Sequence, residues 1–292
     1  GKNNMEYFIH IAILVGIYSI LAISLNLVVG FTGLLSVTQA AFYGIGAYVT
    51  AILLTSYSVN FFVSIIIGMI ITGIVSLAIG YVLSKFNGDF FALGSFGFNI
   101  IVYSIFLNWQ SLTRGPLGIP GITKPVLLGI DFGENSAYLI LVCAFALLVY
   151  LLSEVITNSS FGRVLKAIRE DEKAIQMFGY NTLFFKLTIF VIGAMIASVA
   201  GALFASYITY IDPTSFVLSE SIFILTIIIL GGLANNKGAV IGAACLVILP
   251  ELLRFVGFPS DVAAQMRQVA YGLILIVLML YRPQGLIGEY KL

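Results

Sequence analysis

The residue types that most often carry chemistry are scarce and scattered in this sequence. His10 is the single histidine, and Cys143 and Cys245 both lie inside apolar runs. One histidine cannot supply a metal site made of several His ligands, we expect no Ser-His triad around it, and cysteines in apolar runs behave as small hydrophobic residues. We therefore predict no catalytic residue and no metal site, and we interpret the chain as a non-enzyme.

The composition is that of a membrane protein. Of the 292 residues, 60% are hydrophobic and 9% are charged, whereas a soluble domain carries about 25% charged residues. So few charges cannot cover a water-soluble surface, which makes membrane lipid the expected surroundings. The net charge of +1 gives no overall basic field, so we predict no nucleic acid partner. The sequence also lacks the phosphate-binding loop G-x-x-x-x-G-K-[ST], so any ATP must be bound by another chain.

Apolar segments recur along the whole chain. A spanning helix needs about 20 mostly apolar residues, and candidate segments lie at 6–29, 38–57, 61–84, 89–108, 136–154, 184–208, 219–233, 238–255 and 266–282. The seventh and eighth are short and separated only by 234–237, so they are either two spans or one broken or re-entrant pair. The sequence therefore predicts an all-α, polytopic membrane helix bundle of about 8–9 transmembrane segments, forming one domain over 1–292.

The distribution of Lys and Arg predicts the orientation. With the N-terminus outside and the C-terminus inside, five basic residues face outwards and nine face the cytoplasm: Lys85, Arg163, Lys166, Arg169, Lys173, Lys186, Lys237, Arg282 and Lys291. The segment at about 155–183 is then cytoplasmic, and the loop at about 109–135 is external. The chain does not begin with Met, and we expect a further N-terminal segment before residue 1.

The segment 160–179 is charged and amphipathic and lies between two predicted spans. Its apolar residues Val164, Leu165, Ile168, Ile175 and Phe178 repeat at helical spacing. Ser159 or Ser160 can cap its start and Gly179 can end it. We predict one short helix parallel to the membrane, whose apolar stripe either rests on lipid headgroups or seats in a groove of a partner protein.

This segment resembles the coupling helix of ABC importer permeases, specifically the LivM type of the branched-chain amino acid transporter family. The similar run is Gly-Arg-Val-Leu-Lys-Ala-Ile-Arg-Glu-Asp-Glu at 162–172, followed by Lys173-Ala174-Ile175 where the family has a Glu-Ala-Ala-like turn. Many relatives have His where this chain has Gln39. Three further blocks resemble the same family, at 25–48, at 112–119 (Leu-Thr-Arg-Gly-Pro-Leu-Gly-Ile) and at 281–286 (Tyr-Arg-Pro-Gln-Gly-Leu).

The resemblance implies a set of residues that contact an ATPase partner: Gly162, Arg163, Arg169, Glu170, Glu172, Ala174, Ile175, Phe178 and Gly179. Within this set we expect Ala174, Ile175 and Phe178 to be the buried anchors of the contact. The charged members Arg169, Glu170 and Glu172 would then form its polar edge.

The resemblance further implies the partners and the location. The partners are a second homologous permease subunit, two ATP-binding subunits and an external solute-binding protein. ATP and Mg would be bound by the ATP-binding subunits, with no cofactor in this chain. The location is the cytoplasmic (inner) membrane of a bacterium or archaeon.

A few polar residues lie within the predicted spans, where they are costly and often functional. Asn26, Ser36 and Gln39 cluster where glycines would separate the first span from the second, and they either line a pathway or join helix to helix. Glu220, Glu251 and Arg254 lie near segment ends, where we expect anchors at the membrane interface. Small residues spaced by four, from Gly193 to Ala205, are interpreted as helix-packing contacts.

The leading function is therefore that of a permease subunit that translocates branched-chain amino acids or related small solutes by alternating access. The alternative is an autonomous secondary transporter or channel. Such a transporter would carry intramembrane Asp, Glu or His relays, of which these spans contain almost none.

Overall fold

The structure, a computed structural model, describes residues 2–86, 88–127 and 130–255, and singly 269, 272, 273, 276, 277, 280 and 285–287. Within these residues the chain is a bundle of α-helices. The helices are α1 (Lys2–Leu25), α2 (Gln39–Ser56), α3 (Phe61–Leu83), α4 (Asp89–Asn108), α5 (Gln110–Thr113), α6 (Asn135–Asn158), α7 (Ser160–Glu170), α8 (Glu172–Met177), α9 (Thr182–Ile208), α10 (Leu218–Gly231) and α11 (Asn236–Phe255). Short antiparallel pairs join β1 (Ile119–Pro120) to β4 (Tyr210–Ile211) and β2 (Val126–Leu127) to β3 (Ile130–Asp131).

Six helices of the described ranges are long and apolar enough to cross a membrane. The first of these spans, Met5–Gly30, consists of most of α1 and the π-helical turn Asn26–Gly30 that extends it. The helices α10 and α11 form a further pair bent by 119° at a short break, as the broken or re-entrant alternative predicts. The all-α polytopic prediction is confirmed, with six or seven spans in the described part rather than the approximate 8–9. Most of the ninth predicted segment, 266–282, lies outside the described residues.

The longest helix, α9, packs against α1, α2 and α3. Its small-residue ladder makes these contacts close. A Cβ added at Gly193 would lie 2.9 Å from the Ser24 carbonyl oxygen of α1, and one added at Gly201 would lie 2.1 Å from the Tyr43 carbonyl oxygen of α2. Without a driving force from water, close backbone approach of this kind is what holds membrane helices together, so the ladder is a packing feature, as predicted.

The two ends of the bundle are distinguished by the contacts that form at each. At one end, the last residue of the first span meets α7, through Gly30 and Arg169. At the other end, β1 pairs with β4, and the His10 imidazole Nδ1 lies 2.6 Å from the Tyr207 hydroxyl. Since α6 runs between the two ends, the segments 155–183 and 109–135 lie on opposite sides, as the Lys/Arg distribution requires. We refer to the end with α7 and α8 as the inner end and to the other as the outer end.

Candidate functional site: the inner segment and its attachments

The inner segment, 159–181, begins with a tight turn out of α6. The Ser159 hydroxyl caps α7 by accepting a hydrogen bond from the Gly162 N–H at 3.3 Å. Gly162 is buried, and a Cβ there would lie 2.2 Å from the Thr157 carbonyl oxygen and 2.6 Å from that of Ile156. Gly162 is therefore required by the turn, and its predicted place in a partner contact stays a prediction.

The single helix predicted over 160–179 is wrong, because the chain breaks at Asp171. This residue adopts an extended conformation, with φ −153° and ψ 98°, between α7 and α8. Its carboxylate accepts a hydrogen bond from the Ala174 N–H at 3.1 Å, so Asp171 is the N-cap of α8. Aspartate side chains bind local backbone groups in this way and so favour helix starts over helix interiors. Gly179, with φ +84°, follows the end of α8 in the left-handed region, as predicted.

Arg169 attaches α7 to the end of the first span. Its guanidinium donates hydrogen bonds to the carbonyl oxygen of Gly30 and, at 3.5 Å, to that of Val29. The last carbonyl groups of a helix have no partner within the helix, and Arg169 supplies one for Gly30, whereas the Val29 carbonyl also accepts from the Gly33 N–H at 3.1 Å. The Lys166 ammonium lies 5.6 Å from the centre of the Phe31 ring in the same loop. Arg169 is thus directed into its own bundle, and its place at the edge of a partner contact stays a prediction.

Glu172 attaches α8 to α9. Its carboxylate oxygen lies 2.7 Å from the Lys186 ammonium and accepts a hydrogen bond from the Thr182 hydroxyl at 2.9 Å. Lys186 is only 7% exposed, and a buried ammonium is costly unless it is paired. The nearby rings of Phe161 and Phe185 stack at 5.2 Å between centroids. Glu172 therefore holds the segment to the bundle, and its place at the polar edge of a docking surface stays a prediction.

The side of the segment that faces away from the bundle ends in an apolar tip, Met177 and Phe178. Their side chains are 87% and 78% exposed. Ala174 and Ile175 are half-buried, while Glu170 and Arg163 are exposed. Phe178 is thus placed as a docking residue would be. Sequence reasoning missed Met177, because a continuous helix from 160 places it off the apolar stripe; the Asp171 cap signal was the clue to a new helix with a different face.

The three predicted pathway residues are all buried inside the bundle. The Asn26 carbonyl oxygen Oδ1 accepts a hydrogen bond at 3.0 Å from the Ala234 N–H, which lies at the break between α10 and α11. The Gln39 amide donates to the Ser24 hydroxyl, and the Ser36 Oγ lies 2.9 Å from the Thr38 Oγ1. In this conformation Asn26 and Gln39 join helix to helix and Ser36 bonds locally. Their role in a pathway stays a prediction.

Glu220 does not lie at the depth that the sequence predicts. Its carboxylate accepts a hydrogen bond at 2.5 Å from the hydroxyl of Tyr18, and Tyr18 is near the middle of the Met5–Gly30 span. The prediction of an anchor at the membrane interface is therefore wrong for Glu220. The side chains of Glu251 and Arg254 lie outside the described residues.

The fold and this inner segment define a class of protein. A bundle of six or seven apolar spans, with a charged segment fastened to its inner end, is a polytopic membrane protein, and the exposed apolar tip of that segment is the kind of surface that contacts another protein. The chain belongs to the family described as branched-chain amino acid transport system / permease component, which matches residues 7–281.

Individual relatives agree with this assignment. The chain is 33% identical to the high-affinity branched-chain amino acid transport system permease protein LivM of Salmonella typhimurium, over 96% of this chain and 69% of the relative. It is 26% identical to the probable LivM permease of Methanocaldococcus jannaschii, over 94% and 91% of the two chains. It is 27% identical to the LivH permease of Escherichia coli, over 93% of this chain and 91% of the relative. No solved structure matches the chain. The chain is therefore a multi-pass inner-membrane permease subunit of an ABC importer.

Proposed function

We propose that this permease translocates branched-chain amino acids or related small solutes by alternating access, driven by ATP hydrolysis on separate subunits. The complex would contain a second homologous permease, two ATP-binding subunits that hold ATP and Mg, and an external solute-binding protein. The observation that carries the proposal is the exposed Met177–Phe178 tip on a segment that is otherwise fastened to the bundle. Exposed apolar side chains grouped on a polar surface mark sites of protein contact.

The attachments of the inner segment support a role in transmitting motion. The Glu172–Lys186 ion pair connects α8, which carries the tip, to α9. The hydrogen bond from Arg169 to the Gly30 carbonyl connects α7 to the first span. In the same span, Asn26 accepts a hydrogen bond from Ala234 at the break between α10 and α11. These contacts join the tip to the helices that must move if the pathway is to open alternately to the two sides.

The alternative of a helix that rests on lipid headgroups is less well supported. Such a helix would turn its apolar stripe to the membrane surface. In the structure Leu165 and Ile168, the central residues of that stripe, are buried against the protein itself. What stays exposed is the tip of α8, which is free to enter a groove on an ATP-binding subunit.

The test is copurification of the permease with its co-expressed ATP-binding subunit. Phe178→Asp introduces a charge where an apolar contact is expected, and we expect it to abolish copurification while the permease still inserts in the membrane. Ala174→Asp, half-buried on the same helix, should weaken copurification as well. Leu117→Asp is the matched control, because Leu117 is 81% exposed at the outer end. If Phe178→Asp and Leu117→Asp bind the ATPase equally well, the docking proposal is wrong.

A further inference from the structure

A carboxylate lies in the first turn of α10, beside the middle of the first span. Glu220 accepts its hydrogen bond from Tyr18 at 2.5 Å, and Tyr18 is near the midpoint of a 26-residue span. At a rise of about 1.5 Å per residue, Tyr18 is roughly 20 Å from either end of that span. The pair is therefore close to the middle of the membrane.

The chain covers this pair only in part. Tyr18 and Glu220 are each partly exposed, and their neighbours Ser219 and Ile222 are exposed. An ionisable group that faces hydrocarbon at this depth is costly, and such groups in membrane proteins turn to the bundle interior or to a water-filled cavity. The face of α1 and α10 that carries Glu220 is thus directed to water or to another protein, and not to lipid.

A second phenol lies on the adjoining helix α2. Tyr43 is buried, and α2 meets α10 where the Ala40 N–H donates a hydrogen bond to the Ser221 hydroxyl at 2.8 Å. The Tyr43 hydroxyl has no hydrogen-bond partner among the described residues, although buried hydroxyls are normally paired. The rings of Phe216 and Phe223 lie 5.1 Å and 5.4 Å from those of Tyr43 and Tyr18, respectively. The carboxylate therefore bonds to a tyrosine that packs on Phe223, and the unpartnered hydroxyl of Tyr43 lies on the adjoining helix α2.

We propose that the face of α1 and α10 around Tyr18 and Glu220 lines the translocation pathway, and that the Glu220 carboxylate binds the ammonium group of a passing amino acid. This inference rests on the proposed function and adds a recognition site to it. A primary ammonium offers three donors to carboxylate and phenol oxygens, and nearby aromatic faces favour a cation. Such a site would replace part of the water that the solute loses in the middle of the membrane.

The first test is ATP-dependent uptake of radiolabelled leucine by proteoliposomes that contain the full complex. Glu220→Gln keeps the size of the side chain and an acceptor for Tyr18 but removes the charge, and we expect the uptake rate to fall about tenfold or more. Glu220→Asp should retain more uptake than Glu220→Gln. The control is Glu134→Gln, an exposed carboxylate at the outer end, which should transport at the wild-type rate.

The outcomes separate the two proposals. If the wild-type complex takes up no leucine with ATP, the proposed function fails. If the wild type transports leucine and Glu220→Gln transports it equally fast, the proposed function stands and the ammonium site is wrong.

The second test does not depend on transport or on the folding of Glu220→Gln. Ser219→Cys, with Cys143 and Cys245 replaced by Ser, places a thiol next to Glu220. If the face is wet and the carboxylate is charged, a cationic methanethiosulfonate should react faster than an anionic one. Equal rates, or no reaction with either reagent, would overturn the proposal.

Discussion

We predict that Gly201→Ala lowers the stability of the permease, because Gly201 lies where α2 packs closely against α9. An ideal Cβ at this position lies 2.1 Å from the Tyr43 carbonyl oxygen and 2.8 Å from the Ala47 nitrogen. Carbon-to-oxygen contacts are about 3.3 Å or longer, so the two backbones must separate by roughly 1 Å. Overpacking of this kind costs about 1–3 kcal/mol, and neither backbone can move aside as a side chain would.

The matched control for Gly201→Ala is Gly97→Ala in α4, where an added Cβ has no atom within 4 Å. Alanine there gains helix propensity worth up to about 1 kcal/mol. The assay is the fraction of monodisperse permease that survives heating in detergent, followed by size-exclusion chromatography. At about 2–4 °C per kcal/mol, Gly201→Ala should melt several degrees below Gly97→Ala. Equal melting temperatures would refute the close-contact reasoning.

Further predictions concern the attachments and the sidedness of the bundle. Glu172→Gln leaves the buried Lys186 ammonium unpaired and should cost about 1–3 kcal/mol, less than a fully buried pair because the Glu172 side chain is 33% exposed. Adding Lys186→Met should recover stability in a double-mutant cycle measured by thermal melting, and purely additive effects would contradict the pairing. Asn26→Leu removes the acceptor of a buried N–H and should cost about 1–3 kcal/mol, so an unchanged melting temperature would show that this bond contributes nothing. In a protein without Cys143 and Cys245, Phe178→Cys should react with an impermeant thiol reagent only from the cytoplasmic side. Val126→Cys should react only from the external side. The reverse pattern would show that the predicted topology is wrong.

The spans and the class of the protein could be predicted because a run of about 20 apolar residues is long enough to cross the bilayer and too apolar for a soluble surface. The two ends of the inner segment could be predicted from Ser159 and Gly179, because helix capping depends only on neighbouring residues in the chain. The break at Asp171 was missed because apolar spacing alone favoured one helix, although the aspartate cap carries the competing signal.

Contacts between distant segments could not be predicted from the sequence. Arg169 and Glu172 lie among other charges on one segment, and nothing in their spacing indicates that Gly30 and Lys186 are their partners. The depth of Glu220 was likewise hidden, because a position near the end of an apolar segment is normally near the membrane surface. In the structure Glu220 is in the first turn of the 14-residue helix α10, and that turn meets the middle of the first span.

The measurement that tests the central claim most directly is leucine uptake by proteoliposomes that contain the permease, its partner permease, the ATP-binding subunits and the solute-binding protein. We predict uptake when ATP is inside the vesicles together with the ATP-binding subunits and the solute-binding protein is on the opposite side. Phe178→Asp should abolish this uptake. Leucine uptake that proceeds without ATP, driven by a proton or sodium gradient and unaffected by Phe178→Asp, would contradict the assignment and favour an autonomous secondary transporter.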